Sequence, residues 1–204
     1  MGAQGAGSRR HGLLPHHPPG QSQDEPARPP VPGRPCGHSL GGAIALACDS
    51  PRIAARVLIS TGGLTRLQVG PAMLAATMLW MARPSQAHSA ALLRRFVAPD
   101  STPPATLIDW YTLVARHCRS SLAPPALRPE TLQRCRSVPC LVATGEHDAF
   151  LPPRRLRPAA QRHLATSLRV IPATGHLVTD EQPQQITALL DEISALLTGP
   201  QSAA

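Results

Sequence analysis

Two kinds of apolar pattern alternate along this chain. Short, largely apolar runs occur at Arg56-Val57-Leu58-Ile59-Ser60, from Val138 to Thr144 and from Ser167 to Pro172, the last interrupted by Arg169. Each ends in a turn, respectively Thr61-Gly62-Gly63, Gly145-Glu146-His147-Asp148 and Ala173-Thr174-Gly175-His176. Short β-branched runs closed by glycine read as buried strands. Between them apolar residues recur at helical spacing: from the glycines at 41–42 to about Cys48, from Pro153 to Leu164, and from Gln182 to Leu197. Residues 66–137 carry helical patterning alone, with candidate helices at Pro71–Met81, Ser85–Phe96 and Pro104–Cys118, and with Pro99, Pro103, Pro124 and Pro125 as breaks. Strands alternating with helices imply α/β layering around a mostly parallel sheet.

The first 35 residues break this pattern. They hold 8 prolines and 6 glycines, and their large apolar residues are only Met1, Leu13, Leu14 and Val31. Too little apolar surface is available there to offset the entropy of ordering, so disorder is expected. Val31-Pro32-Gly33-Arg34-Pro35-Cys36 is not expected to form a strand, because proline interrupts a ladder. On that reading the sheet has three strands, and the strand at 56–60 is an open apolar edge, a liability for aggregation or partner pairing.

Composition narrows the class. At 204 residues there is room for one ordinary domain. All 20 basic residues are arginine and the net charge is +8. They are scattered; the densest run, Arg154, Arg155 and Arg157, reads as a solvated helix face, and no stretch alternates basic with aromatic residues as a nucleic-acid surface does. Cys36, Cys48, Cys118, Cys135 and Cys140 are odd in number and lack a C-x-x-C pair, which argues for reduced thiols in the cytoplasm and against a disulfide framework or zinc site. Arg9-Arg10 faintly resembles an export signal, but Pro15-His16-His17-Pro18-Pro19 stands where its apolar region belongs. The most apolar run, Ala72 to Ala82, spans 11 residues. A membrane span needs roughly 20.

Candidate chemistry centres on Gly37-His38-Ser39-Leu40-Gly41-Gly42. A serine with glycines two positions either side fits a tight turn that frees its hydroxyl, and the following helix aims N–H groups back at it. The turns after the second and third runs add Asp148 and His176, beyond the carboxyl ends of their strands, where ligands gather in such sheets. Ser39 needs a base, His176 supplies an imidazole active near neutral pH, and Asp148 would orient it; Glu146 is a second candidate for that acid. The Leu40 N–H would donate to a developing oxyanion. Met73, Met78, Trp80 and Met81 either line an apolar acyl pocket or pack between helices.

GHSLGG at 37–42, VLISTGG at 57–63, GEHDAFLPP at 145–153 and ATGHLVTDEQP at 173–183 resemble the α/β-hydrolase superfamily, in its lipase/esterase-like branch with a helical cap. The resemblance covers roughly 36–204. It implies a partial α/β-hydrolase fold, with core at 36–65 and 138–204 and a cap insertion at 66–137. It also implies Ser39 as nucleophile, Asp148 as acid and His176 as base, with neither metal nor organic cofactor. Serine at the elbow argues against the haloalkane dehalogenase and epoxide hydrolase branches, which place aspartate there. The expected activity is cleavage of a small carboxylic ester or related acyl substrate through an acyl-enzyme on Ser39. Acyltransferase, thioesterase, peptidase and C–C hydrolase relatives use the same triad. Such relatives carry several strands ahead of the elbow and a His-Gly loop with a second oxyanion donor, whose loss costs about 10²–10³ in rate. His11-Gly12 has no apolar strand before it and does not match that loop. The expectation is therefore a truncated or frame-shifted chain, with an inactive fragment or interaction module as the competing reading.

Overall fold

In a computed structural model, residues 32–118 and 125–198 are described. Of the 35 residues expected to be disordered, 1–31, with His11-Gly12, fall outside them; 32–35 are ordered, Gly33 pairing with the segment at 52–54. Four parallel strands, β1 (Cys36–His38), β2 (Arg56–Ile59), β3 (Cys140–Gly145) and β4 (Leu168–Ile171), make one sheet in the order β1-β2-β3-β4. Helix α1 (Leu40–Ala47) follows β1, and α2 (Pro71–Ala82), α3 (Gln86–Leu93), α4 (Ala105–His117) and α5 (Pro129–Arg134) separate β2 from β3. Helix α6 (Pro153–Leu164) joins β3 to β4, and α7 (Val178–Glu181) and α8 (Pro183–Thr198) close the described chain.

Both sheet faces are covered, as parallel strands require. Leu58 and Val142 meet Leu46 of α1, Leu132 of α5 and Leu156 of α6 on one side. Val57, Ile59 and Ala143 meet Val178 of α7 and Leu189 and Ile193 of α8 on the other. Successive residues of β2 thus serve opposite layers, which is why the run is apolar without alternation. Arg56 is buried in β2, and its guanidinium donates to the carbonyls of Ala45 (3.2 Å) and Cys48 (3.1 Å), satisfying the last turn of α1.

The segment before Gly37 corrects the sequence reading. Cys36–His38 does form a strand, paired with Val57–Ile59, so the sheet has four strands and β2 is internal. Proline does no harm there: the Pro35 carbonyl accepts the Val57 N–H (3.1 Å), and Pro35 stands just before β1, so its missing donor interrupts no ladder. Gly33 also bridges to Ile53 in parallel. Cys-Gly-His carries no β-branched residue, so pairing with β2, rather than propensity, makes it a strand.

Helices α2, α3 and α4 form a layer of their own around Met73, Trp80 and Leu92, continued by Leu93, Val97 and Leu177 toward the sheet. Ser85 is the N-cap of α3 rather than its first residue, accepting the His88 N–H at 3.2 Å. Helix α5 packs with α1 and α6 in the core cluster through Leu132. Among the described residues no helix is long and apolar enough to cross a membrane.

Candidate active site

The turn after β1 carries Ser39 at φ 52°, ψ −115°, a left-handed backbone that costs a non-glycine residue about 1–3 kcal/mol. Neighbouring bonds hold it there. The Ser39 N–H donates to Ile59 (3.0 Å), and its carbonyl accepts from Gly42 (3.1 Å) and Gly62 (2.9 Å). The glycines do not contribute alike. A Cβ on Gly37 would fall on the backbone of Gly41 and Gly42, and one on Gly42 would fall on the Thr61 side chain, whereas Gly41 has open space. The steric demand therefore rests on Gly37 and Gly42, not on both glycines of the five-residue pattern.

Ser39, Asp148 and His176 come together. His176 Nε2 lies 3.0 Å from Ser39 Oγ, and its Nδ1 lies 2.9 Å from Asp148 Oδ2. A carboxylate only accepts, so Nδ1 carries the proton and Nε2 is free to accept from the serine hydroxyl. Asp148 is buried and receives the Phe150 and Leu151 N–H groups on Oδ1, both at 2.9 Å. Burial pushes its pKa up; the His176 hydrogen bond and charge, the Leu151 N–H and the Ser60 hydroxyl outweigh this and hold it at about 2. Glu146 does not reach His176: its carboxylate accepts the Ala173 N–H at 3.0 Å.

The depressed Asp148 pKa has a stability consequence. A carboxyl held at about 2, against 3.8 unfolded, contributes about 2 kcal/mol above pH 4 that is lost as pH falls through the folded value. Urea melts of the native chain and of Asp148→Asn are expected to differ most above pH 4 and to converge toward pH 2.

Several partners carry no signal in sequence. His38 Nε2 lies 2.7 Å from the His176 carbonyl, so it holds its proton and donates, while the two rings sit 5.0 Å apart. Burial first, then the neighbouring His176, lowers the His38 pKa, keeping this ring neutral. Thr144 Oγ1 lies 3.2 Å from Asp148 and 3.4 Å from Ser60 Oγ. Glu181 accepts the Gly175 N–H (2.8 Å) on one oxygen and the Ala98 N–H (2.7 Å) on the other, tying the His176 turn to the segment after α3. These contacts are all long-range in sequence or depend on a turn's exact shape.

Ser39 and His176 open on a cavity of roughly 330 Å³ whose walls include Phe96, Leu107, Trp110, Tyr111 and Phe150. Phe96 and Phe150 meet the His176 ring edge to face, at 6.1 and 4.9 Å between centroids. The methionine cluster lies elsewhere. Met73 and Trp80 are buried between helices and Met78 and Met81 face solvent, so none of the four lines this cavity.

Residues 8–189 match the model of the Alpha/beta hydrolase family. Similar solved structures include the 2-hydroxy-6-oxo-6-phenylhexa-2,4-dienoate hydrolase of Rhodococcus sp. strain RHA1, 22% identical with a TM-score of 0.63. Carboxylesterase CesB of Bacillus subtilis is 17% identical, also with a TM-score of 0.63. A meta-cleavage product hydrolase of Pseudomonas fluorescens is 22% identical with a TM-score of 0.62. The alignments cover 78%, 80% and 79% of this chain and 62%, 60% and 64% of those chains, so this chain spans about three fifths of their length. No curated protein sequence matches the chain.

Proposed function

Because the chain belongs to the alpha/beta hydrolase family, we propose that it is a serine hydrolase cleaving a small carboxylic ester through an acyl-enzyme on Ser39. The observation that carries this reading is the continuous chain of hydrogen bonds from Ser39 Oγ through His176 to Asp148, opening on an apolar cavity. Ser39 Oγ attacks the substrate carbonyl carbon while His176 Nε2 takes its proton. The tetrahedral oxyanion is met by the Leu40 N–H, at the start of α1 where helix donors are unsatisfied. Collapse breaks the ester C–O bond, and His176 returns the proton to the leaving alkoxide. Water, deprotonated by the same imidazole, then attacks the acyl carbon, and Ser39 leaves with the proton. Asp148 stays ionised throughout and stabilises the imidazolium. Neither metal nor cofactor enters these steps, and the reaction fits a cytoplasmic setting.

The esterase among the similar structures favours ester cleavage, and the dienoate hydrolases favour a C–C bond as the second reading. The test is labelling of the purified soluble protein by a serine-reactive fluorophosphonate, with the adduct located by mass spectrometry. Near-stoichiometric modification of Ser39, absent in Ser39→Ala, is the expected result. A soluble, folded, unlabelled protein would assign the chain to the inactive-fragment reading instead.

A further inference from the structure

The chain is poor in aromatic residues: 2 Phe, 2 Trp and 1 Tyr. Four of them, Phe96, Trp110, Tyr111 and Phe150, line the cavity, and the fifth, Trp80, packs on Tyr111 with centroids 5.8 Å apart. Charge is distributed in the opposite sense. The chain carries 20 arginines, yet no arginine among the described residues lines the cavity. Among the described residues its one carboxylate wall group is Asp180, in α7. Among the described residues Asp180 has no cationic partner; its carboxylate accepts the neighbouring Thr179 hydroxyl at 3.1 Å. Of the remaining titratable groups in the wall, burial and then Asp180 raise the Tyr111 pKa, keeping that phenol neutral.

From this arrangement we propose that the cavity selects esters bearing an ammonium group, held over the faces of Trp110 and Tyr111 with Asp180 as counter-charge. The proposal rests on the serine hydrolase reading of Ser39. Aromatic faces attract a desolvated cation through their quadrupole, and the unpaired carboxylate adds a Coulombic share. An uncharged aryl ester gains the apolar contacts but no attraction from Asp180. A substrate carrying a carboxylate, such as the dienoate named for the Rhodococcus relative, meets like charge and no arginine. Asp180 is exposed, so its share weakens as salt screens it.

Two measurements separate this subsite from the chemistry it serves. The first compares kcat/KM for acetylthiocholine, its uncharged carbon analogue 3,3-dimethylbutyl thioacetate, and a carboxylate-bearing thioacetate of equal length. The cation is expected to be favoured over the uncharged analogue by about 5- to 30-fold at low salt, less at high salt, with the anion slowest. In Asp180→Asn the cation/neutral ratio should shrink about fivefold or more. The second measures phenyltrimethylammonium binding by calorimetry to Ser39→Ala, which needs no turnover. Binding weakened by adding Asp180→Asn supports the subsite even if no ester is turned over, in which case only the hydrolase reading fails. A ratio and an affinity that Asp180→Asn leaves unchanged, or a preference for the anion, would overturn it.

Discussion

Replacing His176 with alanine is expected to lower ester turnover by about 10⁶-fold, and replacing Asp148 with asparagine by about 10⁴-fold. The order follows from what each change leaves behind. Without His176 the Ser39 hydroxyl has no acceptor at 3.0 Å and keeps its proton, so only the Leu40 donor and the cavity remain. Asparagine at 148 still accepts the Phe150 and Leu151 N–H groups through its carbonyl, so the turn stays folded. Its amide, however, donates toward His176 Nδ1 and favours the tautomer with a protonated Nε2, which cannot receive the serine proton. Both losses should fall on kcat, with KM little changed, in steady-state assays on a short acyl ester. Glu146→Gln should stay within about twofold of the native rate, as an exposed change does. A loss at Glu146 matching that at Asp148 would reassign the acid.

Gly37→Ala is expected to destabilise the fold by about 3 kcal/mol, the upper end of the range for overpacking. The new methyl has only backbone to meet, the peptide between Gly41 and Gly42, and backbone cannot step aside as a flexible side chain can. Any relief of that overlap moves the turn holding Ser39 relative to His176. A displacement near 1 Å costs about 10²-fold in rate, so the surviving folded protein should also be a poor catalyst. Gly41→Ala is the internal control. A Cβ there meets nothing within 4 Å, and exchanging a helical glycine for alanine gains about 0.5–1 kcal/mol. Denaturant melts of the two variants, one residue type exchanged at two positions of one motif, should therefore shift in opposite directions.

Much of the fold was legible because it depends on local pattern. The buried strands β2 and β3, and the edge strand β4 with only Arg169 exposed, carry largely apolar runs that need no partner to be recognised, and the glycine turns after them placed Asp148 and His176 at one end of the sheet. Strand β1 was not legible, since Cys36-Gly37-His38 has no propensity and acquires its structure from Val57–Ile59. Helices α5 and α7 were missed for a related reason: at 6 and 4 residues they are too short to show a period. The methionine cluster stayed open between pocket and packing because helical spacing says which residues share a face, not what that face meets; the fold packs Met73 and Trp80 between helices.

The sequence by itself determined the α/β layering, the order Ser39, Asp148, His176 and the glycine-flanked turn at Ser39, each read from local pattern, while the strained Ser39 backbone is held by bonds to the distant Ile59 and Gly62. Tertiary structure decided the rest. The choice of Asp148 over Glu146 as the group touching His176, the His38 bond to the His176 carbonyl and the Glu181 clamp each join residues through angles that no spacing encodes. So does the cavity, whose four aromatic walls come from the segment after α3, from α4 and from the turn after β3. Burial and electrostatics act through space, and only the folded chain fixes which charges and rings share the same few ångströms.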